Sequence, residues 1–305
     1  MRPTTKLRQL LRRKNRVLVV LGVPNAFHAK IMEANDVEVC FVGTSITGGN
    51  YTGLPDLGIL SMTECVEMAK WIARSVKIPV ILDGDTGHGG IMAVRRLVRE
   101  CIDAGLAGLR LDDQPLEQKR RTMSTGISIV SREEAVARYL AAVDAKNEID
   151  PDFVIMAQCY ARNAVNGGMA EMLKRLRLYE KEGRVDWVQF EAPHSIDEIK
   201  RARQAAKGPF SAMKGQLPRA LTLEEHKALR LNAAWYTFLP DQVLKASAWA
   251  FLQAFKKEGV RAWDQFIVAN PDTPFTGGEK WHWDSTGMAE LSKFEVKYSA
   301  RRRRR

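Results

Sequence analysis

The chain has 305 residues, enough for one large domain or two ordinary ones, and its 45% hydrophobic content and short apolar runs predict a soluble protein without a membrane span. The formal net charge is +11, and it falls to +6, from 42 basic and 36 acidic residues, when the terminal Arg301–Arg305 are left out. We expect this tail to bind phosphates non-specifically, and we predict no specific nucleic-acid recognition. Four cysteines without CxxC spacing, and an N-terminus without an apolar segment, exclude a disulfide framework and a secretory signal and predict a cytoplasmic location.

Short apolar runs along the chain predict eight buried β-strands. They are Val17–Leu21, Val37–Val42, Pro79–Leu82, Gly108–Leu111, Phe153–Ala157, Asp186–Phe190, Pro209–Ala212 and Ala233–Leu239. Amphipathic segments between them predict helices, some of which begin at a capping residue such as Ser61 or Thr222. These helices are Leu7–Arg16, Ala26–Ala34, Thr63–Ser75, Ile91–Ala104, residues 131–146, Met169–Lys181, Ile196–Ala206, Leu223–Arg230 and Gln242–Lys257.

The alternation of strand and helix is regular, and no linker rich in Pro, Gly and Ser interrupts it. Eight such units in about 240 residues predict an α/β fold, a single (β/α)8 TIM barrel. We expect the barrel and its N-terminal helix to occupy residues 1–260. Residues 261–299 form a helical or loop extension in this interpretation, and residues 300–305 form a disordered basic tail.

The stretch Ile78–Gly90 carries the strongest functional signal. Its strand is apolar throughout, as in a strand covered on both faces, and ends at Asp83 and Asp85. Side chains two residues apart on an extended segment leave on the same side, so both carboxylates can face one cation. An alternative is that one aspartate only caps the helix that follows. That alternative accounts for one carboxylate, and we therefore favour a divalent-metal site.

More carboxylates follow the predicted strands, and the carboxyl ends of barrel strands meet at one mouth. These carboxylates are Asp56, Asp83, Asp85, Asp112, Asp113 and Glu191. Each one singly is also compatible with a cap or a solvated loop charge. Oxygen-only ligands suit Mg²⁺, with Mn²⁺ possible, rather than zinc.

A long loop, Pro115–Ser131, is typical of a lid because compact domains rarely contain uncapped loops of that length. It carries Lys119, Arg120 and Arg121, which we expect to close over an anionic substrate and stabilise developing negative charge. A solvated run of charges is an equally good explanation for any one of them. His88, in the glycine-rich turn, is a candidate for touching the substrate.

Six sequence blocks resemble the isocitrate lyase/phosphoenolpyruvate mutase superfamily, with similarity over about residues 7–255. The blocks are Gly43-Thr44-Ser45, Gly53-Leu54-Pro55-Asp56-Leu57-Gly58, Asp83-Gly84-Asp85-Thr86-Gly87, Asp112-Asp113-Gln114, Ile129-Val130-Ser131 and Phe190-Glu191-Ala192. The resemblance implies a Mg²⁺-dependent barrel enzyme acting on small 2-oxo or 2-hydroxy acids. It also implies a homotetramer in which neighbours exchange a C-terminal helix.

The resemblance, together with the positions of the charged residues, gives expected roles to individual residues. Asp83, Asp85 and Asp112 are the expected metal ligands, directly or through water, and Asp56, Lys119 and Arg121 are the expected catalytic residues. The expected substrate-binding residues are Thr44 and Ser45 through their backbone, together with Gln158, Glu191, Lys214 and His88.

The chain departs from the superfamily pattern at several of these positions. The lyases have a lid cysteine that acts as general acid–base, whereas this lid reads Lys119-Arg120-Arg121-Thr122-Met123 and has no thiol. In the superfamily, an arginine at the end of the fifth strand binds a substrate carboxylate, and Gln158 stands at that position here. Glutamine cannot form a charged bidentate pair with a carboxylate. Asp112 replaces a glutamate, and Lys214 stands where a small neutral residue is usual.

The leading functional hypothesis is therefore a Mg²⁺-dependent carbon–carbon lyase that is not a standard isocitrate or methylisocitrate lyase. The metal would stabilise an enolate as a bond to the adjacent carbon breaks or forms. The lid triplet Thr122-Met123-Ser124 leaves open P–C chemistry on phosphonopyruvate, and decarboxylation or hydrolysis of oxaloacetate is a further alternative. A barrel that has lost catalysis and serves as a binding subunit is the alternative from another class.

Overall fold

The predicted (β/α)8 barrel is confirmed: eight parallel strands close into a barrel in chain order, with β1 paired to β8. The computed structural model describes residues 1–14, 16–119, 125–271, 273, 275 and 286–302. Side chains of 118 and 300–302 are outside this description, as are residues 120–124 of the predicted lid and residues 303–305 of the predicted tail. No helix in the described ranges is long and apolar enough to cross a membrane.

The strands are short and almost entirely buried. They are β1 Leu18–Gly22, β2 Val39–Val42, β3 Val80–Asp83, β4 Gly108–Asp112, β5 Val154–Cys159, β6 Trp187–Phe190, β7 Phe210–Ala212 and β8 Ala233–Tyr236. The helices are α1 Pro3–Arg12, α2 Ala26–Ala34, α3 Gly49–Thr52, α4 Met62–Ser75, α5 Ile91–Asp103, α6 Arg132–Ile149, α7 Met169–Lys181, α8 Ile196–Ala205, α9 Leu223–Ala228, α10 Leu239–Glu258, α11 Arg261–Ala269 and α12 Met288–Arg302. A π-helix spans Thr44–Gly48, and a 3-10 turn spans Leu116–Gln118.

Two apolar clusters hold the barrel together. The larger one lies between the strands and the surrounding helices. The smaller one fills the barrel interior, where the Trp235 ring packs 5.1 Å from Phe41 and 5.3 Å from Trp187, centroid to centroid. Leu7 and Leu11 of α1 join this inner cluster, so the amphipathic N-terminal helix closes one end of the barrel.

Three local predictions were wrong. Helix α1 begins at Pro3, not Leu7, because proline is well tolerated in the first turn of a helix. Strand β8 ends at Tyr236, not Leu239, and α10 begins at Leu239, not Gln242. Pro240 lies in the first turn of α10, where proline is again well tolerated. The segment between β2 and α4, for which no helix was predicted, contains the π-helix and α3, neither of which has the length or periodicity that sequence patterns detect.

The contacts within the chain divide it into two compact units, Met1–Asp241 and Gln242–Arg305. The first contains all eight strands. The second contains most of α10 together with α11 and α12, and these helices expose large apolar side chains. Examples are Val243, Trp249, Leu252, Phe255, Trp263, Leu291 and Phe294. The predicted division at residue 260 stays a prediction.

Candidate active site

The end of β3 places two buried carboxylates in a tight turn. Asp83 is the last residue of the strand, and Asp85 follows in the left-handed region at φ +48°. The backbone amide of Asp85 donates a hydrogen bond to Asp83 Oδ1 at 3.3 Å. Non-glycine residues with such a backbone are uncommon and cluster at functional sites. The turn therefore puts both aspartates beside one point while burying each of them.

Arg110 is a partner of Asp83 that the sequence did not reveal. Its Nη2 donates to Asp83 Oδ2 at 2.6 Å, and its guanidinium lies 4.4 Å over the Phe41 ring. Burial would raise the pKa of Asp83, but Arg110 and Lys119 outweigh burial and hold that pKa below its usual value. Asp83 is thus ionised and already neutralised from within the barrel.

Lys119 is the first basic residue of the predicted lid, and its ammonium lies between the carboxylates of Asp56 and Asp85. Its ammonium donates to Asp56 Oδ1 at 2.7 Å and to Asp85 Oδ1, and lies 3.4 Å from Thr44 Oγ1. The side chain is only 6% exposed. Burial would lower the pKa of Lys119, but the surrounding aspartates raise it, so this amine is fully protonated.

Asp85 and Asp112 have raised pKa values despite this cation. Burial is the main cause in both, and it raises the pKa of Asp85 to about 6 and that of Asp112 to about 7, with neighbouring carboxylates adding to the effect. Asp112 accepts its bonds from the amide and side chain of Gln114, at 3.0 and 3.4 Å. No ion pair among the described residues includes Asp112. The site holds more buried carboxylate than its cations neutralise.

The donor chemistry of this cluster fits a hard divalent ion. Carboxylate oxygens converge at the mouth of the barrel, and oxygen ligands with room for water are those that Mg²⁺ prefers. As arranged here, no three acidic, histidine or cysteine side chains of the described ranges are close enough together to hold a metal ion. The space that Asp56 and Asp85 share is taken by the Lys119 ammonium.

Asp113 does not belong to the cluster, contrary to the sequence prediction. Its carboxylate accepts bonds from Tyr179 at 2.7 Å and Arg175 at 3.3 Å in the layer outside the barrel, and it is completely buried. Successive residues of an extended segment face opposite sides, so Asp112 points inward and Asp113 outward. Asp113 therefore fastens α7 to the end of β4.

The expected substrate-binding residues are only partly brought together. Thr44 and Ser45 begin the π-helix, where the first amides of a helix lack intrahelical acceptors. Gln158 and Glu191 lie on adjacent strand ends, and Gln158 Nε2 donates to Glu191 Oε2 at 2.5 Å. Lys214 is exposed after β7 and touches none of the aspartates.

His88 and Arg121 complete the predicted set. His88 sits at φ +57° in the glycine-rich turn, and its buried Nε2 has no partner in the described part of the structure. Burial, followed by the charge of Lys119, lowers the pKa of His88, so the ring is neutral near pH 7. Arg121 lies outside the described residues, and its role stays a prediction.

Comparison with known proteins decides the family. The profile of the phosphoenolpyruvate phosphomutase family matches residues 7–237. The 2,3-dimethylmalate lyase of Eubacterium barkeri is 36% identical over 208 residues, 68% of this chain and 70% of that protein. The chain belongs to the isocitrate lyase/phosphoenolpyruvate mutase superfamily. The predicted enzyme class, a carbon–carbon lyase type, is confirmed by its superfamily relatives.

Solved structures of the superfamily share the whole fold. An oxaloacetate acetylhydrolase in complex with 3,3-difluorooxalacetate superposes with a TM-score of 0.85 at 27% identity, covering 98% of this chain and 99% of that one. A phosphonopyruvate hydrolase in complex with oxalate and Mg²⁺ superposes with a TM-score of 0.82 and covers 98% of this chain and 99% of the other, but its 24% identity shows only a common fold.

One departure from the superfamily pattern, Gln158, lies near a buried cation in this site. Gln158 replaces the expected arginine and is hydrogen-bonded to Glu191. Arg110, one strand away on β4, places a buried guanidinium whose charge acts on Asp83 and Glu191. A buried cation therefore lies near these strand ends, below Asp83.

Proposed function

We propose that this chain is a Mg²⁺-dependent enzyme that breaks or forms a carbon–carbon bond in a small 2-oxo or 2-hydroxy acid. One observation carries the proposal: the buried carboxylates of Asp85 and Asp112 have raised pKa values and too few cations around them. Holding them together is unfavourable unless a further cation binds. The superfamily relatives, which include a 2,3-dimethylmalate lyase and an oxaloacetate acetylhydrolase, support this choice of substrate class.

The carboxylates at the mouth of the barrel would bind the metal and its water shell. Asp83, Asp85 and Asp112 would hold Mg²⁺, directly or through water, and Asp56 would order its water shell. When bound, the metal would polarise the 2-oxo group and stabilise the charge of an enolate as the adjacent bond breaks. Asp83 would keep its orientation through Arg110, which donates to Asp83 Oδ2.

The substrate would be bound by neutral donors as well as by charge. Amides of Thr44 and Ser45 at the start of the π-helix would bind the carboxylate beside the 2-oxo group. Gln158, held by Glu191, would contact the distal end by a hydrogen bond, which favours a substrate with little charge there. Lys119 and Arg121 would stabilise developing negative charge, and Lys214 and His88 would border the substrate.

The test is turnover of oxaloacetate, 2,3-dimethylmalate and isocitrate, each with Mg²⁺ and with EDTA, followed by proton NMR of the products. We expect at least one 2-oxo or 2-hydroxy acid to be cleaved, with activity lost in EDTA and restored by Mg²⁺. Activity that is indifferent to chelation would refute the metal role. Phosphonopyruvate, followed by phosphorus NMR, is the contrasting arm; its turnover alone would establish P–C chemistry instead.

We also propose a homotetramer with exchanged C-terminal helices in the cytoplasm. The exposed apolar side chains of α10, α11 and α12 support an oligomer, because contiguous apolar surface usually marks an interface. All four cysteines are free and buried, which suits a reducing compartment. Light scattering of the full chain should give the mass of four subunits, and truncation after residue 260 should reduce it.

A further inference from the structure

Lys119 lies at the point on which the aspartates of the mouth converge. Its ammonium contacts one carboxylate oxygen each of Asp56 and Asp85 and lies beside the Thr44 hydroxyl. The side chains of Lys119 and Asp85 are 6% and 5% exposed, so water cannot replace either partner readily. Asp83 and Asp112 act on the same ammonium through their charges.

A divalent cation and this ammonium cannot both occupy the point between the Asp56 and Asp85 oxygens. Mg²⁺ binds oxygen at about 2.0–2.1 Å and demands near-octahedral geometry, whereas an ammonium donates hydrogen bonds to the same lone pairs. Like charges at such a distance also repel strongly where water is excluded. The point between Asp56 and Asp85 is therefore available to one cation at a time.

We propose that Lys119 and the divalent cation are alternative occupants of this point, so that the lysine is a tethered cation which withdraws when the metal binds. The flexible four-carbon stem of lysine makes such a withdrawal possible without moving the barrel. Arg110 is unlike Lys119 in this respect: it is buried below Asp83, is stacked on Phe41, and donates to Asp83 Oδ2 from within the barrel. The proposal rests on the Mg²⁺ cofactor of the proposed function.

The exchange has two consequences that an ordinary ion pair would not have. Lys119 weakens metal binding, because the metal must displace it. Lys119 also stabilises the metal-free protein, because it neutralises carboxylates that would otherwise repel one another. If the lysine were a permanent neighbour that only orders the aspartates, removing it would weaken metal binding instead.

The experiment is a Mn²⁺ titration of the full chain by electron paramagnetic resonance, comparing wild type with Lys119→Met. We expect Lys119→Met to bind Mn²⁺ about tenfold more tightly or better, since a competing unit charge has been removed. Lys119→Gln, which is polar and neutral, should behave in the same way and guards against a folding defect in the first variant. Lys146→Met is the matched control: Lys146 is an equally buried lysine paired with Asp186, and its loss should leave Mn²⁺ affinity unchanged.

Thermal unfolding supplies a readout independent of the titration. Without metal, Lys119→Met should melt below wild type, and Mg²⁺ should raise its melting temperature by more than it raises that of wild type. Equal or weaker Mn²⁺ affinity in both Lys119 variants, with wild type binding Mn²⁺, would overturn the exchange and leave the proposed cofactor standing. Failure of every protein to bind Mn²⁺ would refute the cofactor and the exchange together. Binding by the variants alone would be the strongest support for exchange.

Discussion

Two buried charge clusters lie at opposite ends of the barrel strands, and their balance differs. At the end closed by α1, Asp186 pairs with Arg8 at 2.8 Å and with Lys146 at 3.1 Å, and Asp150 pairs with Arg2 at 3.2 Å. Every one of these carboxylates has a cation, and the network fastens α1 to the starts of β5 and β6. Asp186 also accepts the amide of Ile155 at 2.9 Å.

At the mouth the carboxylates exceed the cations. Asp56 and Asp85 share Lys119, and the pKa values of Asp85 and Asp112 are raised, to about 6 and about 7. A balanced cluster stabilises the fold, whereas an unbalanced one is kept at a cost in stability for what it binds. Substitutions at the two ends should therefore have opposite signatures.

The largest expected effect is that of Asp85→Asn. Loss of this carboxylate should abolish tight Mg²⁺ binding and lower activity about 1000-fold, the scale seen when charge stabilisation is removed from an active site. The metal-free variant should melt at or above wild type near pH 7.5, because a raised pKa means that the fold disfavours the ionised form. Calorimetric titration with Mg²⁺ and a thermal melt measure both. Retained metal affinity would contradict the assignment of the cation site.

Asp186→Asn should show the reverse. It leaves Lys146 and Arg8 without their shared carboxylate, so the free energy of unfolding should fall by about 3 kcal/mol while Mg²⁺ affinity is unchanged. Urea unfolding of the full chain gives the first quantity. Asp144→Asn, in an exposed pair with Arg184, is the control and should change stability by less than about 0.5 kcal/mol. A change in metal affinity in Asp186→Asn would mean that the two ends are coupled.

Mg²⁺ affinity should depend on pH over the range in which Asp85 and Asp112 titrate. Protons compete with Mg²⁺ for carboxylates, and the raised pKa values of Asp85 and Asp112 keep these groups protonated below about 6 and about 7. Mg²⁺ affinity should therefore be about tenfold weaker at pH 5.5 than at pH 7.5, by calorimetry. A flat profile across this range would show that both carboxylates are already ionised without metal.

The smallest expected effect is that of Thr44→Val. The hydroxyl lies 2.9 Å from Asp56 Oδ1 and 3.1 Å from Asp85 Oδ1, so its loss removes one hydrogen bond to the aspartates. Mg²⁺ affinity should change about fivefold, equivalent to about 1 kcal/mol. Thr47→Val is the matched control, because Thr47 lies in the same π-helix but its hydroxyl donates to the Val23 carbonyl, away from the aspartates. This substitution should affect only the melting temperature. Equal effects of the two variants on affinity would argue against a specific role for Thr44.

The sequence determined the order of strands and the position of most of the carboxylates. Buried apolar runs predict strands locally, and in a closed barrel every strand end faces the same mouth, so Asp83, Asp85 and Asp112 are placed by chain order alone. The fold followed from such patterns, whereas the superfamily and the enzyme class followed from the resemblance of six sequence blocks. The roles of the individual residues stay predictions, including that of Arg121.

Only the tertiary structure decided which charges meet. Arg110 and Asp83 are paired by the register of β3 and β4, and Lys119 reaches Asp56 across 63 residues of chain. The π-helix at Thr44 was equally invisible in the sequence. Periodicity records which face of an element is buried, but the partner of a buried charge is set by strand register and side-chain reach between distant segments.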